Sequence, residues 1–227
     1  MAGSLQPRVK TWVSTEDVTY SDLNAEFDNV LLAMQPLLMD DYSTDTRGDY
    51  TYTIGASSGL SVSGGNLTNA DATQKLFVPT ALAARKALVA KLQVTIPGAG
   101  ASAPGLALKV VDNDDHVYCT LDTSTGEFQI WKGVAGVFTK VDSQGGLTVR
   151  QSLYILGGCQ GDAFWANLYT ADPETTAAAP LAAVSADITD ASIRGNVAGK
   201  PGIESYLAAT TTFSEFKVWE IGGEFNL

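Results

Sequence analysis

From residue 51 onward the chain consists of short runs rich in Val, Ile, Thr, Tyr, Phe and Trp. Clusters of Gly, Pro, Asp and Asn separate them at intervals of about 8–15 residues. No other feature restricts the fold as much. β-branched and aromatic residues suit a pleated, half-buried surface, and turn residues at this spacing bring each run back alongside the one before it. The pattern predicts a mainly β chain folded as an antiparallel β-sandwich. Its clearest part is a three-stranded meander. His116–Asp122 turns through Thr123-Ser124-Thr125-Gly126 into Glu127–Lys132, and Gly133-Val134-Ala135-Gly136 leads into Val137–Asp142. Further strands are expected at Thr51–Ile54, Gly59–Val62, Ala87–Ile96, Leu106–Asp112, Thr148–Gly157, Ala163–Thr170, Ser192–Ala198, Ile203–Ala208 and Thr212–Ile221, with an Ala/Thr-rich loop at Thr175–Ala183.

One stretch carries two signals. Pro79–Leu92 has strong helix propensity with Pro near its start, yet Ala87-Leu88-Val89 and Lys91–Ile96 alternate as a strand does. A strand from about residue 87 is expected, with room for a helical turn at 80–85.

Ahead of the β-region, Arg8–Val18 reads as an extended arm containing Trp12. Thr19-Tyr20-Ser21-Asp22 fits a helix-capping pattern. Behind it Leu23, Phe27, Val30, Leu31 and Met34 recur at helical spacing until Pro36. That stripe must cover something: its own β-domain, further copies of itself, or a partner. The chain thus divides into an arm and helix (1–38), an acidic linker (39–50) and a β-sandwich (51–227). The linker holds Arg47-Gly48-Asp49, read as a chance occurrence of that tripeptide.

Composition excludes several classes of function. Hydrophobic residues make up 45% and charged residues 17%, enough apolar material for a true core. The net charge of −11 repels phosphate backbones and anionic lipid, so nucleic-acid binding is not expected. No apolar run is long enough for membrane insertion, and Met1–Arg8 lacks the apolar stretch of a secretory signal, which predicts assembly in the cytoplasm. Cys119 and Cys159 stand apart and read as buried free thiols.

Catalytic patterns are sparse, and no enzyme activity or cofactor is expected. His116 is the one histidine, read as a solvated residue opening a strand after an acidic turn. There is no G-x-S-x-G, H-E-x-x-H, P-loop or G-x-G-x-x-G. A glycan-cleaving carboxylate pair would sit at alternate positions of a strand, and none does. Asp112 and Asp114 are weak candidates for a hard cation, set against a plain hairpin turn. Tyr118, Trp131, Phe138, Tyr154, Trp165 and Tyr169 all fall on expected strands, and most are expected in the core. Tyr118 and Trp131 follow polar turns. An aromatic face on an exposed sheet can stack on sugar CH groups while a nearby Asp fixes hydroxyls, so Tyr118, Trp131 and Asp114 are the candidate glycan-binding residues.

Two resemblances extend this reading. Val9–Ser14 with Val18–Val30, above all Asp22-Leu23-Asn24-Ala25-Glu26-Phe27-Asp28-Asn29, resembles the opening of tailed-bacteriophage virion proteins of the tail-fibre and minor structural type. Thr15 stands where those have glycine and Tyr20 where they have alanine. Residues 50–222 resemble concanavalin A-like (laminin-G-like) jelly rolls, through Pro104–Val110 with Asp112–Thr120, then Phe128–Lys132, then Ile203 with Phe213–Trp219. The first resemblance implies a non-enzymatic structural protein of the virion, with other virion proteins as partners. Trp12, Leu23, Phe27, Val30, Leu31 and Met34 would serve attachment and a homo-oligomer, with a trimer favoured. The second implies an outward, lectin-like domain for host-surface glycan. The alternatives are a capsid decoration protein without ligand and a polysaccharide-degrading enzyme.

Overall fold

The computed structural model describes residues 36–71, 73–96, 102–148, 152–206 and 211–221. The expected arm and helix, with Trp12, Leu23, Phe27, Val30, Leu31 and Met34, lie outside the described residues. In chain order the strands are β1 Leu38–Asp40, β2 Tyr50–Ile54, β3 Leu60–Val62, β4 Leu67–Asn69, β5 Lys75–Pro79, β6 Leu88–Thr95, β7 Ala103–Val110 and β8 His116–Asp122. There follow β9 Glu127–Val134, β10 Val137–Gln144, β11 Ser152–Gln160, β12 Ala163–Tyr169, β13 Ala182–Asp187, β14 Lys200–Tyr206 and β15 Thr211–Glu220.

They form two antiparallel sheets stacked as a sandwich. One runs β13-β12-β11-β6-β15-β4-β3, with β1 also against β15; the other runs β10-β9-β8-β7-β14-β5-β2. The period-two alternation of strands sets which side chains face the middle. On β8, Val117, Cys119 and Leu121 point inward, and on β9 Phe128 and Ile130 meet them. Phe77, Leu92, Val94, Leu106, Phe164, Phe213 and Phe216 fill the rest of the space between the sheets. Each such side chain, fully withdrawn from water, contributes roughly 1.5–3 kcal/mol. Cys119 and Cys159 are buried free thiols within this core.

The six Tyr, Trp and Phe residues expected mostly in the core lie elsewhere. Tyr118 and Trp131 pack on the outer face of the seven-stranded sheet. Tyr154, Trp165 and Tyr169 join Val89, Leu156 and Trp219 in a separate apolar cluster on the other sheet. Phe138 is 40% exposed on edge strand β10. Phenylalanine and aliphatic residues, joined by Tyr42 and Tyr50, fill the interior between the sheets.

Four expectations about the chain path are corrected. Residues 39–50 are no linker. β1 pairs with β15, Tyr42 is buried in the core, and Asp40 accepts hydrogen bonds from Thr46 Oγ1 at 2.7 Å and from Tyr50 OH at 2.9 Å. Within this segment Arg47–Asp49 forms one 3-10 turn whose Arg47 guanidinium is taken up by Asp45 and the Leu60 carbonyl. Ser192–Ala198 is not a strand but a run of turns, closed by bonds from Ile193 N and Arg194 N to Asp190 O. Gly195 there packs so closely on the Gly161 backbone that a Cβ would come within 2.2 Å of it. The Ala/Thr-rich loop ends early, because Ala182–Asp187 forms β13 by pairing with β12. In the fourth place, 80–85 makes no helical turn. Arg85 pairs with Gly199 backbone to backbone, and β6 sits between β11 and β15, so sheet pairing outweighs local helix propensity.

Edge strand β13 is closed across the sandwich. The Ala183 N–H donates to Gln144 Oε1 at 2.9 Å and the Ser185 N–H to Asp142 Oδ2 at 2.9 Å, so side chains of β10 satisfy backbone groups that a neighbouring strand would otherwise take. The β9–β10 hairpin holds Ala135 at φ +50° and Gly136 at φ +76°, a turn that suits Asn-Gly. Alanine is strained in the left-handed region, so Ala135→Asn should raise stability by about 1 kcal/mol, read as a higher midpoint in thermal unfolding.

Candidate glycan-binding cleft

A cleft of about 340 Å³ opens on the outer face of the seven-stranded sheet. The same alternation that buries Val117, Cys119 and Leu121 turns Tyr118, Thr120 and Asp122 of β8 outward into it. β9 contributes Gln129 and Trp131, β10 Phe138, β7 Ala103, and β14 Glu204 and Tyr206, while Gln74 stands just ahead of β5. Four aromatic rings and a small set of polar groups thus share one cleft, the composition of a small-molecule site. Register explains the convergence: Tyr118 lies opposite Trp131 and Thr120 opposite Gln129, so neighbouring strands present their outward side chains side by side.

The polar groups are aligned by one another. Trp131 Nε1 donates to Gln129 Oε1 at 2.7 Å, Gln129 Nε2 donates to Glu127 Oε2 at 2.7 Å, and the Lys140 ammonium lies 2.9 Å from Glu127 Oε2. This chain fixes the indole plane. Asp122 accepts from Ser124 N at 2.9 Å and from Ser124 Oγ at 2.6 Å. Burial acts to raise its pKa, and these bonds together with Thr125 outweigh it, leaving a carboxylate below its ordinary range. Burial raises the Tyr118 phenol, with Glu204 and Tyr206 adding to the effect, so it stays un-ionised.

Glu204 is 1% exposed and lies over Gly105 of the adjacent β7. Its Oε1 accepts from Gln74 Nε2 at 3.3 Å, and its Oε2 has no partner among the described residues. Burial pushes this carboxyl up to about 8, with the Gln74 bond opposing. The missing side chain of Gly105 makes the arrangement possible, since a Cβ there would fall 2.3 Å from the Cys119 carbonyl and 3.1 Å from Glu204 Oε2. Gly105→Ala should therefore cost about 1–3 kcal/mol, measured by urea unfolding; an unchanged midpoint would count against this tight approach of β7 to β8.

Of the three residues proposed from sequence, the structure brings Tyr118 and Trp131 into one cleft and leaves Asp114 out of it. Asp114 belongs to the β7–β8 turn, where Asp112 Oδ1 accepts the Asp114 and Asp115 N–H groups and the Asp114 carbonyl accepts from Gly136 N. That turn is locally satisfied, the arrangement expected of a hairpin rather than of a cation loop. His116 is fully buried, not solvated; it packs 5.6 Å from the Tyr118 ring and 5.2 Å from the Phe138 ring, and burial lowers its pKa against the pull of Asp112, Asp115 and Asp114. Gln74, Asp122, Gln129, Glu204 and Tyr206 went unread in the sequence because they converge from different strands. Gln129 and Asp122 carried a local signal, Gln129 two residues from Trp131 and Asp122 four from Tyr118 on the same faces.

A second polar cluster lies on the outer face of the other sheet. The buried Lys91 ammonium bonds Asp172 at 2.9 Å, Glu215 at 2.6 Å and Glu174, while Lys217 bonds Glu174 at 2.7 Å and Glu215 at 3.0 Å. Asp172, Glu174 and Glu215 gather closely enough to share a cation, and the Lys91 ammonium is the cation they share. Burial acts to lower the Lys91 pKa, and its bonds to Glu174, Glu215 and Asp172 more than reverse this.

No protein-family model matches the sequence, and no curated protein does. Solved structures share the fold at low identity. A carbohydrate-binding module, CBM66 from Bacillus subtilis, superposes with a TM-score of 0.56 at 14% identity, covering 73% of this chain and 92% of that one. The CBM2 module of the evolved Dit protein of Lactobacillus casei BL23 phage J-1 gives 0.58 at 9% identity, covering 84% and 98%. A GH43 protein from Bacillus licheniformis gives 0.60 at 13% identity; this chain, 82% covered, spans only 40% of its length. The shared architecture is a jelly-roll β-sandwich of the kind found in carbohydrate-binding modules and in domains of larger glycoside hydrolase-type proteins.

Proposed function

We propose that this chain is a non-enzymatic glycan-binding protein of a phage particle, its sandwich turned outward so that the cleft on the seven-stranded sheet contacts a host-surface sugar. The observation that carries the binding half is the cleft itself: Tyr118, Trp131, Phe138 and Tyr206 offer ring faces beside Asp122, Gln129 and Glu204, which offer hydrogen bonds. The phage half is supported by the resemblance of Asp22–Asn29 to virion proteins and by the likeness of the fold to a phage Dit module. The amphipathic stretch ending at Met34 would attach the protein to the particle and to further copies, a trimer by resemblance, and several weak cleft sites held together gain avidity.

A glycan array probed with the purified protein tests the reading. Binding is expected, and Trp131→Ala is expected to weaken it about tenfold to a hundredfold with little loss of stability, since the ring is only half-buried. Failure of every array sugar to bind, combined with an image of the protein tiling the capsid, would replace this reading with a ligand-free decoration protein. Asp122 and Glu204 meet in one cleft from β8 and β14, so hydrolysis of an array sugar is assayed alongside, and turnover would make the protein an enzyme.

A further inference from the structure

Glu204 is the polar group of the cleft that the protein leaves unsatisfied. It is 1% exposed, and its neighbours define which oxygen carries what. The Gln74 amide donates to Oε1, so Oε1 is the acceptor and the carboxyl hydrogen belongs on Oε2. Oε2 has no partner among the described residues, although a buried hydrogen-bonding group is normally satisfied. The polar groups around it are bonded elsewhere and make no bond to it. Thr120 Oγ1 donates to the Pro104 carbonyl, Asp122 is held by Ser124, and Lys75 on the adjacent β5 gives its ammonium to Asp71 and the Ala56 carbonyl. Tyr118 and Asp122 from β8 and Tyr206 from its own strand line the same cleft, Cys119 faces the core side, and among the described residues no Lys or Arg lines the cleft.

We infer that Glu204 is the specificity-determining residue of the cleft: as a carboxylic acid it donates from Oε2 to a hydroxyl or ring oxygen of an uncharged sugar, and the cleft releases that sugar in alkaline solution. The inference rests on the glycan-binding reading and names its substrate class. A neutral ligand oxygen supplies the acceptor that Oε2 lacks. An anionic sugar would meet the Asp122 carboxylate with no cation among the described residues of the cleft to balance it. The elevated affinity of Glu204 for its proton, caused by burial, keeps the donor present near neutrality. Tyr206, 45% exposed, forms a wall of the cleft on the same strand as Glu204.

Calorimetric titrations test this with xylose, glucose, mannose and fructose hexasaccharides as neutral probes and an oligogalacturonate as the anionic one, at about pH 6 and about pH 9. At least one neutral probe should bind at the lower pH and weaken about tenfold at the higher. Glu204→Gln, which keeps a donor that does not titrate, should bind with a flat pH profile, and Glu204→Leu should bind about tenfold more weakly at both. The carboxyl carbon resonance of Glu204 in the free protein, followed by NMR, should titrate well above the ordinary carboxylate range. If Glu204→Leu fails to fold, the Glu204→Gln profile decides. Binding that ignores both substitutions and pH, an ordinary titration of the resonance, or preference for the oligogalacturonate overturns the inference and leaves the glycan-binding reading standing. Absence of binding by every probe overturns both.

Discussion

Lys91→Met is expected to lower the unfolding free energy by about 3–5 kcal/mol. The methionine fills nearly the same space, so the loss is electrostatic. Lys91 is 0% exposed, and its ammonium stands among Asp172, Glu174 and Glu215. Without it three carboxylates converge with Lys217 as the one remaining cation paired to them among the described residues. The cluster ties the segment after β12 to β6 and β15, so amide exchange should accelerate around residues 172–176 before the rest of the sheet. Urea unfolding gives the magnitude. A second variant, in which Asp172, Glu174 and Glu215 are also made neutral amides, should recover much of the loss, because an apolar or neutral replacement of a whole buried ion cluster is often well tolerated. A Lys91→Met protein within 1 kcal/mol of the parent would show that the carboxylates rehydrate freely.

Glu204→Gln should have the opposite effect, and only in part of the pH range. The folded protein holds the Glu204 proton up to about 8, while the unfolded chain releases it near the ordinary 4.5. Between these values the folded state binds the extra proton, so stability falls as pH rises. The stabilising contribution is full below about 4.5 and gone above about 8, a swing on the order of 5 kcal/mol. Glutamine does not titrate. The variant should match the parent at acidic pH and exceed it by a few kcal/mol in mildly alkaline solution, with the two urea midpoints diverging through the window. Parallel midpoint curves from pH 4.5 to 8 would show that Glu204 ionises without cost.

Much of the sandwich is legible in the sequence, and where it is not the cause is physical. His116–Asp122 matches β8 end for end, because alternating Val117, Cys119 and Leu121 can only face one core. β13 is invisible, because Ala-Ala-Val-Ser-Ala-Asp has little strand propensity and is extended by its pairing with β12. β5 is buried on both faces and so shows no alternation. Ser192–Ala198 fails in the other direction: its β-like residues are bent into turns by Gly195 seated against Gly161. The candidate site divides the same way. Tyr118 and Trp131 are legible as outward aromatics after polar turns, and cross-strand register joins them. Glu204, separated by about a hundred residues from Gly105 and Thr120 beside it, acquires its character only when β14 pairs with β7.

The bonds from Ala183 and Ser185 to Gln144 and Asp142 bear on life in a crowd. A molecule displayed in many copies at short spacing meets its own surface at very high local concentration, where a bare strand margin would recruit the margin of a neighbour and propagate into a fibre. Here a visiting backbone must first evict two side chains that are already the right length and held by their own strand. This margin of the domain is therefore closed to strand addition, and the same two residues are where a change would open it.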